Sequence, residues 1–223
     1  QKVLDVGCGW GGMAFEVAKQ KNCEVVGISL SQNQINYCKN KARELGLDNQ
    51  VRFELIDYRE IKGEFNRIYS VGMFEHVGKK FYKTFFKSIN RLLKKDGIFL
   101  LHTIGSIDVP SPPNKFIRKY IFPGGIVPCF SDIINPIQKT GLIVADSETL
   151  IRHYDKTLES WLERFLSKKS DVKDMFDEKF VKMWEFYLTS CAAAFKYRDL
   201  VVFQLQIVKN FQSAHRTRDY IYS

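Results

Sequence analysis

Short apolar runs recur along the chain, and amphipathic stretches separate most of them. Runs of this length predict buried strands, while apolar positions that repeat every three to four residues predict helices. Predicted strands cover residues 3–6, 24–28, 51–56, 65–71, 97–105, 142–150 and 200–208. One predicted helix starts at Met13. Further predicted helices cover residues 32–45, 79–93, 158–167 and 178–197. This alternation predicts an α/β fold with a doubly wound, mostly parallel sheet.

The carboxyl ends of the predicted strands carry most of the residues that could bind a ligand. These are the glycine turn 7–11, Ser29, Asp57, Glu75 and His102. In a doubly wound parallel sheet the ligand lies in a crevice beyond these strand ends. We therefore expect these residues, although far apart in sequence, to surround one crevice.

The first strand ends in a glycine turn with the spacing Asp5-x-Gly7-x-Gly9-x-Gly11. A strand, a glycine turn and a helix bring backbone N–H groups close to a nucleoside-bearing ligand, where a Cβ atom would block close approach. The spacing resembles motif I of S-adenosylmethionine-dependent methyltransferases and differs from the Gly-x-Gly-x-x-Gly of dinucleotide sites. A purely structural turn is the alternative, and we favour the cofactor interpretation because strand, acid and glycines occur together.

Residues after the second and third strands predict how a nucleoside would be held. Many nucleotide-binding folds place an acid at the end of the second strand for the ribose hydroxyls. Here Ser29, Leu30 and Gln34 occupy that position, and on spacing alone Gln34 is interpreted as a solvated helix residue. Asp57 and Tyr58 suit an adenine, because one can accept the exocyclic amine and the other can offer a stacking face.

Glu75 and His102 are the strongest candidate pair for chemistry, since both lie at ligand-side strand ends. A carboxylate and an imidazole can hold and deprotonate a small acid, or act directly as bases. A capping Glu and a satisfied core His are the structural alternatives, which the pattern alone favours. Tyr154 and Cys8 are interpreted as packing residues. The other histidines lack metal-ligand spacing, so no metal site is expected.

Composition bears on compartment and partners. The net charge of +9 predicts attraction to an anionic surface, either nucleic acid or an acidic membrane leaflet. The five scattered cysteines predict reduced thiols in a cytosolic protein. The sequence has no apolar run of membrane-spanning length and no signal peptide. Because Gln1 stands directly before the first strand, we expect the chain to belong to a longer protein.

The segment 106–138 interrupts the alternation and contains all six prolines. We expect an irregular loop that covers the substrate, because it follows a ligand-side strand end. Arg118 and Lys119 lie among apolar residues, a pattern that favours phosphates and acyl chains but could also serve RNA. The basic helix 79–95 is either a membrane-surface helix or a solvated outer helix, and the second interpretation is favoured.

Eight stretches together resemble the cyclopropane-fatty-acyl-phospholipid synthases and mycolic acid cyclopropane synthases. They are VLDVGCGWGG (3–12), VVGISLSQNQ (25–34), DYRE (57–60), SVGMFEHVG (70–78), GIFLLHTIGS (97–106), KYIFPGG (119–125), HYDKTLESWLERF (153–165) and YLTSCAAAF (187–195). They follow the family order and span nearly the whole chain. Many methyltransferases share the first stretch, whereas GMFEHVG, LLHTIGS and YIFPGG together are much more specific.

The resemblance implies a seven-stranded Rossmann-like methyltransferase sheet in a single domain, 1–223, with substrate-covering insertions at 106–140 and 155–198. It implies that the methyl group of S-adenosylmethionine is transferred to a cis double bond of a phospholipid acyl chain. The resulting carbocation would lose a proton to bound bicarbonate and close to a cyclopropane ring. Because an alkene is a poor nucleophile, such a site must exclude water and tolerate transient positive charge.

The resemblance also implies the site residues, motif by motif. Glu75, His102 and Tyr154 would hold bicarbonate, with the backbone N–H of Ile104. Cofactor contacts would fall on Asp5, Gly7, Gly9, Ser29, Leu30, Gln34, Asp57, Tyr58, Arg59 and Val71. In the family a cysteine and a tyrosine upstream of motif I complete these sites. This chain starts after them, so we expect it to be less than fully active alone.

Other functions remain open on the sequence. A related C- or N-methyltransferase without ring closure is the main alternative. An RNA methyltransferase would suit the charge, but an Asn-Pro-Pro-Tyr-type motif is absent after the fourth strand, so no nucleic-acid partner is expected. A further alternative is a lipid-binding module that keeps this fold but has no catalytic activity. We expect a cytoplasmic protein, peripherally bound to an anionic membrane through phospholipid, and a homodimer is compatible with this role.

Overall fold

A computed structural model describes residues 1–109 and 114–222. Its strands are β1 (Lys2–Val6), β2 (Glu24–Ser29), β3 (Val51–Leu55), β4 (Phe65–Val71), β5 (Leu93–Ser106), β6 (Ile143–Leu150) and β7 (Leu200–Val208). They form one seven-stranded sheet in the order β3-β2-β1-β4-β5-β7-β6. The pairs β1–β2, β1–β4, β2–β3 and β4–β5 are parallel. The predicted α/β fold with a mostly parallel sheet is therefore confirmed.

Eight helices are present in the described ranges. They are α1 (Gly12–Lys21), α2 (Gln32–Glu44), α3 (Tyr82–Leu92), α4 (Lys115–Tyr120), α5 (Phe130–Gln138), α6 (Tyr154–Ser167), α7 (Lys169–Met175) and α8 (Glu178–Tyr197). Short 3₁₀ turns cover Phe74–His76, Lys79–Phe81, Phe211–Ser213 and Asp219–Ile221. The Ser31 hydroxyl accepts a hydrogen bond from the backbone N–H of Gln34 at 3.4 Å, which confirms Ser31 as the cap of α2.

Two predicted elements differ from the structure. The helix expected over 79–95 starts as a 3₁₀ turn and ends at Leu92, so Lys94 and Lys95 belong to β5. The segment 106–138 is not irregular throughout, because it contains α4 and α5. The side chain of Asn114 caps α4 by accepting from the N–H groups of Phe116 and Ile117, a local signal that the prolines obscured. Residues 110–113 of the predicted first insertion lie outside the described residues.

The chain divides into two compact units. The first contains 1–103, 131–148 and 204–223, and the second contains 104–130 and 149–203. In the first unit, α1 and α2 bury apolar side chains against β1–β3, including Phe15, Cys38 and Phe53. In the second, α6 and α8 enclose Leu158, Leu188 and Phe195. The second unit draws on both predicted insertions, and the single-domain organisation stays a prediction.

An aromatic cluster supports the loop after β4. Phe74 stacks on Tyr82 with ring centroids 4.2 Å apart and also meets the rings of Phe85 and Phe86 at 5.3 and 5.6 Å. All four side chains are fully buried. Because Phe74 belongs to the 3₁₀ turn Phe74–His76, this cluster anchors that turn to α3.

None of the helices described is long and apolar enough to cross a membrane. The five cysteines are free thiols, and all except the half-buried Cys191 are buried.

We expect Phe85→Ala to lower the free energy of unfolding by about 3–5 kcal/mol, because it removes a fully buried ring from the aromatic cluster. Urea denaturation followed by circular dichroism measures this loss. Lys87→Ala, on the exposed face of the same helix, is the control and should change stability by less than about 0.5 kcal/mol. Equal losses in the two variants would contradict the role of the cluster.

Candidate active site

The glycine turn is tied to the end of the neighbouring strand. The backbone N–H groups of Gly7 and Cys8 both donate to the carbonyl oxygen of Ile28, at 3.0 Å each. Gly7 has φ +88°, and a Cβ added there would lie 2.6 Å from Cγ of Met73. Only glycine fits this position, because the backbone is left-handed and the adjacent loop packs directly against it.

A cavity of about 570 Å³ opens beside this turn within the first unit. Its walls come from the segments that follow β1, β2, β3 and β4. They include every predicted cofactor residue except Asp5, namely Gly7, Gly9, Ser29, Leu30, Gln34, Asp57, Tyr58, Arg59 and Val71. Parallel strands end at the same edge of the sheet, which brings these distant residues together as expected.

The loop after β4 also lines the cavity, and sequence reasoning missed its contribution. Met73, His76, Val77 and Phe81 all lie in the wall. For Met73, His76 and Val77 the available signal was their position between Gly72 and Gly78, within the specific stretch SVGMFEHVG, whereas Phe81 lies beyond it.

Asp5 lies beneath the turn instead of in the cavity wall. Its side chain is only 3% exposed, and it pairs with Tyr69 in the register of β1 and β4. Burial raises the pKa of Asp5 from 3.8 to about 7. The nearby Tyr69 hydroxyl opposes this rise in part, although it does not form a hydrogen bond of standard geometry. Burial also raises the pKa of the neighbouring Cys8 thiol, which agrees with Cys8 as a packing residue.

A small hydrogen-bonded group holds the segment after β2. The Ser29 hydroxyl donates to Oε1 of Gln34 at 2.7 Å and accepts from the N–H of Ser31 at 3.1 Å. Gln34 is half-buried in the cavity wall, whereas spacing alone favoured a solvated helix residue, and its role in cofactor binding stays a prediction. Leu30 is 72% exposed and presents an apolar side chain at the rim.

Asp57 and Arg59 form the charged part of the cavity wall. The Arg59 guanidinium binds both carboxylate oxygens of Asp57, at 2.8 and 2.7 Å. Arg59 therefore holds the pKa of Asp57 below its usual range, so this carboxylate stays ionised as an acceptor. The Tyr58 ring meets the edge of Phe85 at 5.2 Å, which connects the cavity wall to the aromatic cluster.

Glu75 and His102 lie close to this edge of the sheet but outside the cavity wall as defined above. Glu75 is in the 3₁₀ turn Phe74–His76, and its Oε2 atom is buried. His102 is opposite Val71 in the register of β4 and β5, and its carbonyl oxygen accepts from the N–H of Gly72 at 3.0 Å. Burial lowers the pKa of the His102 imidazole, which favours the neutral ring.

The other two residues of the predicted bicarbonate site, Ile104 and Tyr154, belong to the second unit. Tyr154 starts α6, and its ring packs against Phe195 at 5.0 Å and Trp161 at 5.9 Å. Ile104 packs against the same apolar cluster. The four-residue bicarbonate site stays a prediction. Among the residues with described structure, no group of His, Cys, Asp or Glu is arranged to hold a metal ion.

Comparison with protein families identifies the chain. Residues 1–205 match the model of the family described as mycolic acid cyclopropane synthetase. The chain belongs to this family. The mycolic acid cyclopropane synthetase match covers residues of both units and ends within β7.

Individual proteins are also similar to the chain. The cyclopropane-fatty-acyl-phospholipid synthase of Escherichia coli K12 is 40% identical over 215 residues, which cover 96% of this chain and 55% of that protein. A probable fatty acid methyltransferase of Pseudomonas putida is 34% identical over 220 residues, covering 96% of this chain and 56% of that protein. The chain thus spans about half the length of the curated relatives that it matches.

A solved structure in the mycolic acid cyclopropane synthetase family has the same fold. It is the mycolic acid cyclopropane synthase CmaA1 complexed with SAH and CTAB, with a TM-score of 0.85 and 32% sequence identity. The match covers 92% of this chain and 77% of that one. SAH, S-adenosylhomocysteine, is what remains of S-adenosylmethionine once its methyl group has been transferred.

We expect protonation of Asp5 to stabilise the fold, because its pKa is about 7 in the folded protein and 3.8 as an ordinary value. This stabilisation is complete below a pH of about 4, declines as the pH rises and is lost above about 7. Asp5→Asn removes the titration. Between about pH 5 and 8, wild type should therefore lose on the order of 2 kcal/mol relative to the variant, at about 1.4 kcal/mol per pKa unit.

Urea denaturation at both pH values measures the effect of Asp5. Asp48→Asn is the control, because Asp48 is an exposed carboxyl and the variant should follow wild type at both values. Parallel pH profiles for wild type and Asp5→Asn would contradict the raised pKa.

Proposed function

We propose that the chain is the catalytic part of a cyclopropane-fatty-acyl-phospholipid synthase, which converts cis double bonds of phospholipid acyl chains to cyclopropane rings. The observation that carries this proposal is the cavity, whose walls contain, at four strand ends, nine of the ten residues that the sequence resemblance implies for the cofactor. Similarity to a cyclopropane-fatty-acyl-phospholipid synthase over 96% of the chain supports the acceptor.

The cavity wall fits a nucleoside-bearing cofactor in its donors, acceptors and charge. The absence of a Cβ at Gly7 leaves room for the packed loop, and the ionised Asp57 can accept hydrogen bonds from an exocyclic amine. Ser29 and Gln34 offer a hydroxyl and an amide already fixed relative to each other. S-Adenosylmethionine bound there would supply the methyl group, and similarity to a structure complexed with SAH supports this cofactor.

The proposed reaction transfers a methyl carbon to the alkene and removes one proton, so that the lipid gains CH₂ in total. Glu75 and His102 are the candidates for assisting removal of that proton, because they place a carboxylate and an imidazole near the cavity edge. A bound bicarbonate would supply the base, and their side chains have the hydrogen-bonding groups to hold it. Apolar surroundings that exclude water would protect the carbocation.

A fatty acid methyltransferase without ring closure is the second candidate. Similarity to the probable fatty acid methyltransferase of P. putida, at 34% identity, supports it. The two reactions share methyl transfer to an alkene and differ in where the proton is lost. Loss of a proton from the added methyl carbon closes a cyclopropane ring. Loss of a proton from a neighbouring chain carbon leaves the ring unformed and gives an alkene of the same mass. Saturation of that alkene would add two hydrogens.

We expect cells that express the gene encoding this chain to accumulate acyl chains one CH₂ heavier than their unsaturated precursors. Mass spectrometry detects the gain, and proton NMR of the lipids distinguishes ring protons from olefinic protons.

In the purified protein, Glu75→Gln should lower turnover by a factor on the order of 100 or more, since it removes a carboxyl acceptor near the proposed reacting group.

Affinity for S-adenosylmethionine, measured by calorimetry, separates catalysis from binding. Glu75→Gln should leave this affinity within about threefold of wild type, because Glu75 is outside the cavity wall. Glu64→Gln, an exposed carboxylate before β4, is the control and should retain wild-type turnover. Equal losses of turnover and cofactor affinity in Glu75→Gln would contradict a role for Glu75 in the proton step.

The second unit carries a surface that suits an anionic membrane. We call it the aromatic–basic surface, and it consists of Phe116, Arg118, Lys119, Tyr120, Lys179 and Phe186. The rings of Phe116 and Phe186 meet at 4.9 Å, which joins α4 to α8. Lys119 and Lys179 both lower the pKa of the exposed Tyr120, so positive charge surrounds this ring. Phe186 is 56% exposed beside these cations.

Cations that attract lipid phosphates and aromatic rings that enter the headgroup region are the combination that binds peripheral proteins to membranes. We therefore propose that the aromatic–basic surface docks the protein on anionic phospholipid, the source of its substrate. The location at a cytoplasmic membrane surface and the assembly as a homodimer remain parts of this proposal.

We expect the double variant Arg118→Glu/Lys119→Glu to bind phosphatidylglycerol vesicles about tenfold or more weakly, because each cation near a membrane contributes about 1 kcal/mol. Vesicle cosedimentation measures binding, which should also weaken as salt concentration rises. The control is Lys19→Glu/Lys21→Glu on α1, which makes the same change in net charge. Equal weakening in both double variants would assign binding to net charge and not to this surface.

A further inference from the structure

The His102 imidazole has a side-chain partner on β7. Nε2 of the Gln204 amide lies 3.1 Å from Nδ1 of the His102 imidazole. Both residues belong to the first unit and are half-buried. On the opposite side, β4 places the apolar Val71 in register with His102. Gln204 is therefore a polar neighbour of this imidazole on a flanking strand.

The chemistry of the two groups determines which imidazole nitrogen carries the proton. The amide nitrogen of Gln204 can only donate, so Nδ1 of His102 must accept. A neutral imidazole whose Nδ1 accepts carries its proton on Nε2. Burial lowers the pKa of His102, which is consistent with a neutral ring at neutral pH. Burial is the cause of this shift.

We propose that Gln204 is a positioning residue that holds His102 in the tautomer protonated on Nε2. His102 then serves as a hydrogen-bond donor through Nε2 and not as the base of the reaction. In this tautomer the lone pair of Nδ1 is engaged by Gln204, and Nε2 has none to offer. His102 could accept a substrate proton only by losing the Gln204 hydrogen bond.

At this edge of the sheet, a fixed N–H donor suits a small oxyanion, which can accept its hydrogen bond. It suits less well a substrate group whose proton the imidazole would have to remove. This choice of ligand rests on the proposed function, in which a bound bicarbonate is the base. The tautomer itself does not depend on that function, because it follows from the contact between Gln204 and His102.

Nitrogen-15 NMR of histidine-labelled chain tests the tautomer directly. The His102 signals are assigned by their loss in His102→Gln. We expect Nε2 of wild type to show a protonated, pyrrole-type shift and Nδ1 to show a pyridine-type shift. A proton on Nδ1 at neutral pH would overturn the proposal, because the amide oxygen of Gln204 would then be the group facing the ring.

Gln204→Glu reverses the hydrogen bond without changing the size of the side chain. Its carboxylate accepts from Nδ1–H, so we expect the proton to move to Nδ1 or the ring to become charged, with a higher pKa for His102. Turnover should fall at least about tenfold, while affinity for S-adenosylmethionine stays near wild type. Unchanged His102 shifts in this variant would contradict the positioning role.

Gln206→Glu is the matched control, because Gln206 lies two residues along β7 and its amide donates to the Tyr220 hydroxyl. This variant should leave the His102 shifts and the affinity for S-adenosylmethionine unchanged. If the tautomer is as expected but no cyclopropane lipid forms, the proposed function fails and the role of Gln204 stands. If lipid forms while Nδ1 carries the proton, only the role of Gln204 fails.

Discussion

The cavity depends on a pair of hydrogen bonds to one atom, the carbonyl oxygen of Ile28. Two consecutive N–H groups, from Gly7 and Cys8, donate to this one carbonyl and hold the glycine turn against the end of β2. Because a Cβ at Gly7 would meet Met73, the same turn also sets how closely the loop after β4 can approach. One backbone arrangement thus positions three of the segments that surround the proposed cofactor.

Charge and burial are distributed differently above and below that turn. Asp57, in the cavity wall, is paired with Arg59 and stays ionised, whereas Asp5, beneath the turn, is surrounded by the core and binds a proton more tightly than usual. The difference follows from solvation, since a carboxylate without a cation is costly to bury. Of these two acids, Asp57, which has a charged partner, is therefore the one suited to be a negative acceptor for a ligand at neutral pH.

The proposed chemistry depends on side chains held by apolar packing. Phe74 anchors the turn that carries Glu75 through its contacts with Tyr82, Phe85 and Phe86. His102 has little freedom because β4 lies on one side and Gln204 on the other. A site that controls one proton beside a carbocation needs this rigidity, since donors that are already oriented need not reorganise during the reaction.

The sequence by itself determined the sheet and the glycine turn, because apolar periodicity, glycine spacing and capping residues act over a few neighbouring positions, and its resemblance to a family implied the candidate cofactor residues. Ser31 as the cap of α2 is an example. Only the tertiary structure decided which of these residues face a cavity, that Asp5 lies beneath it, that Gln34 is half-buried and that His76 lines the wall. It also brought Gln204 to His102. Local pattern carries no information about such contacts, because they join segments that meet only when the strands assemble.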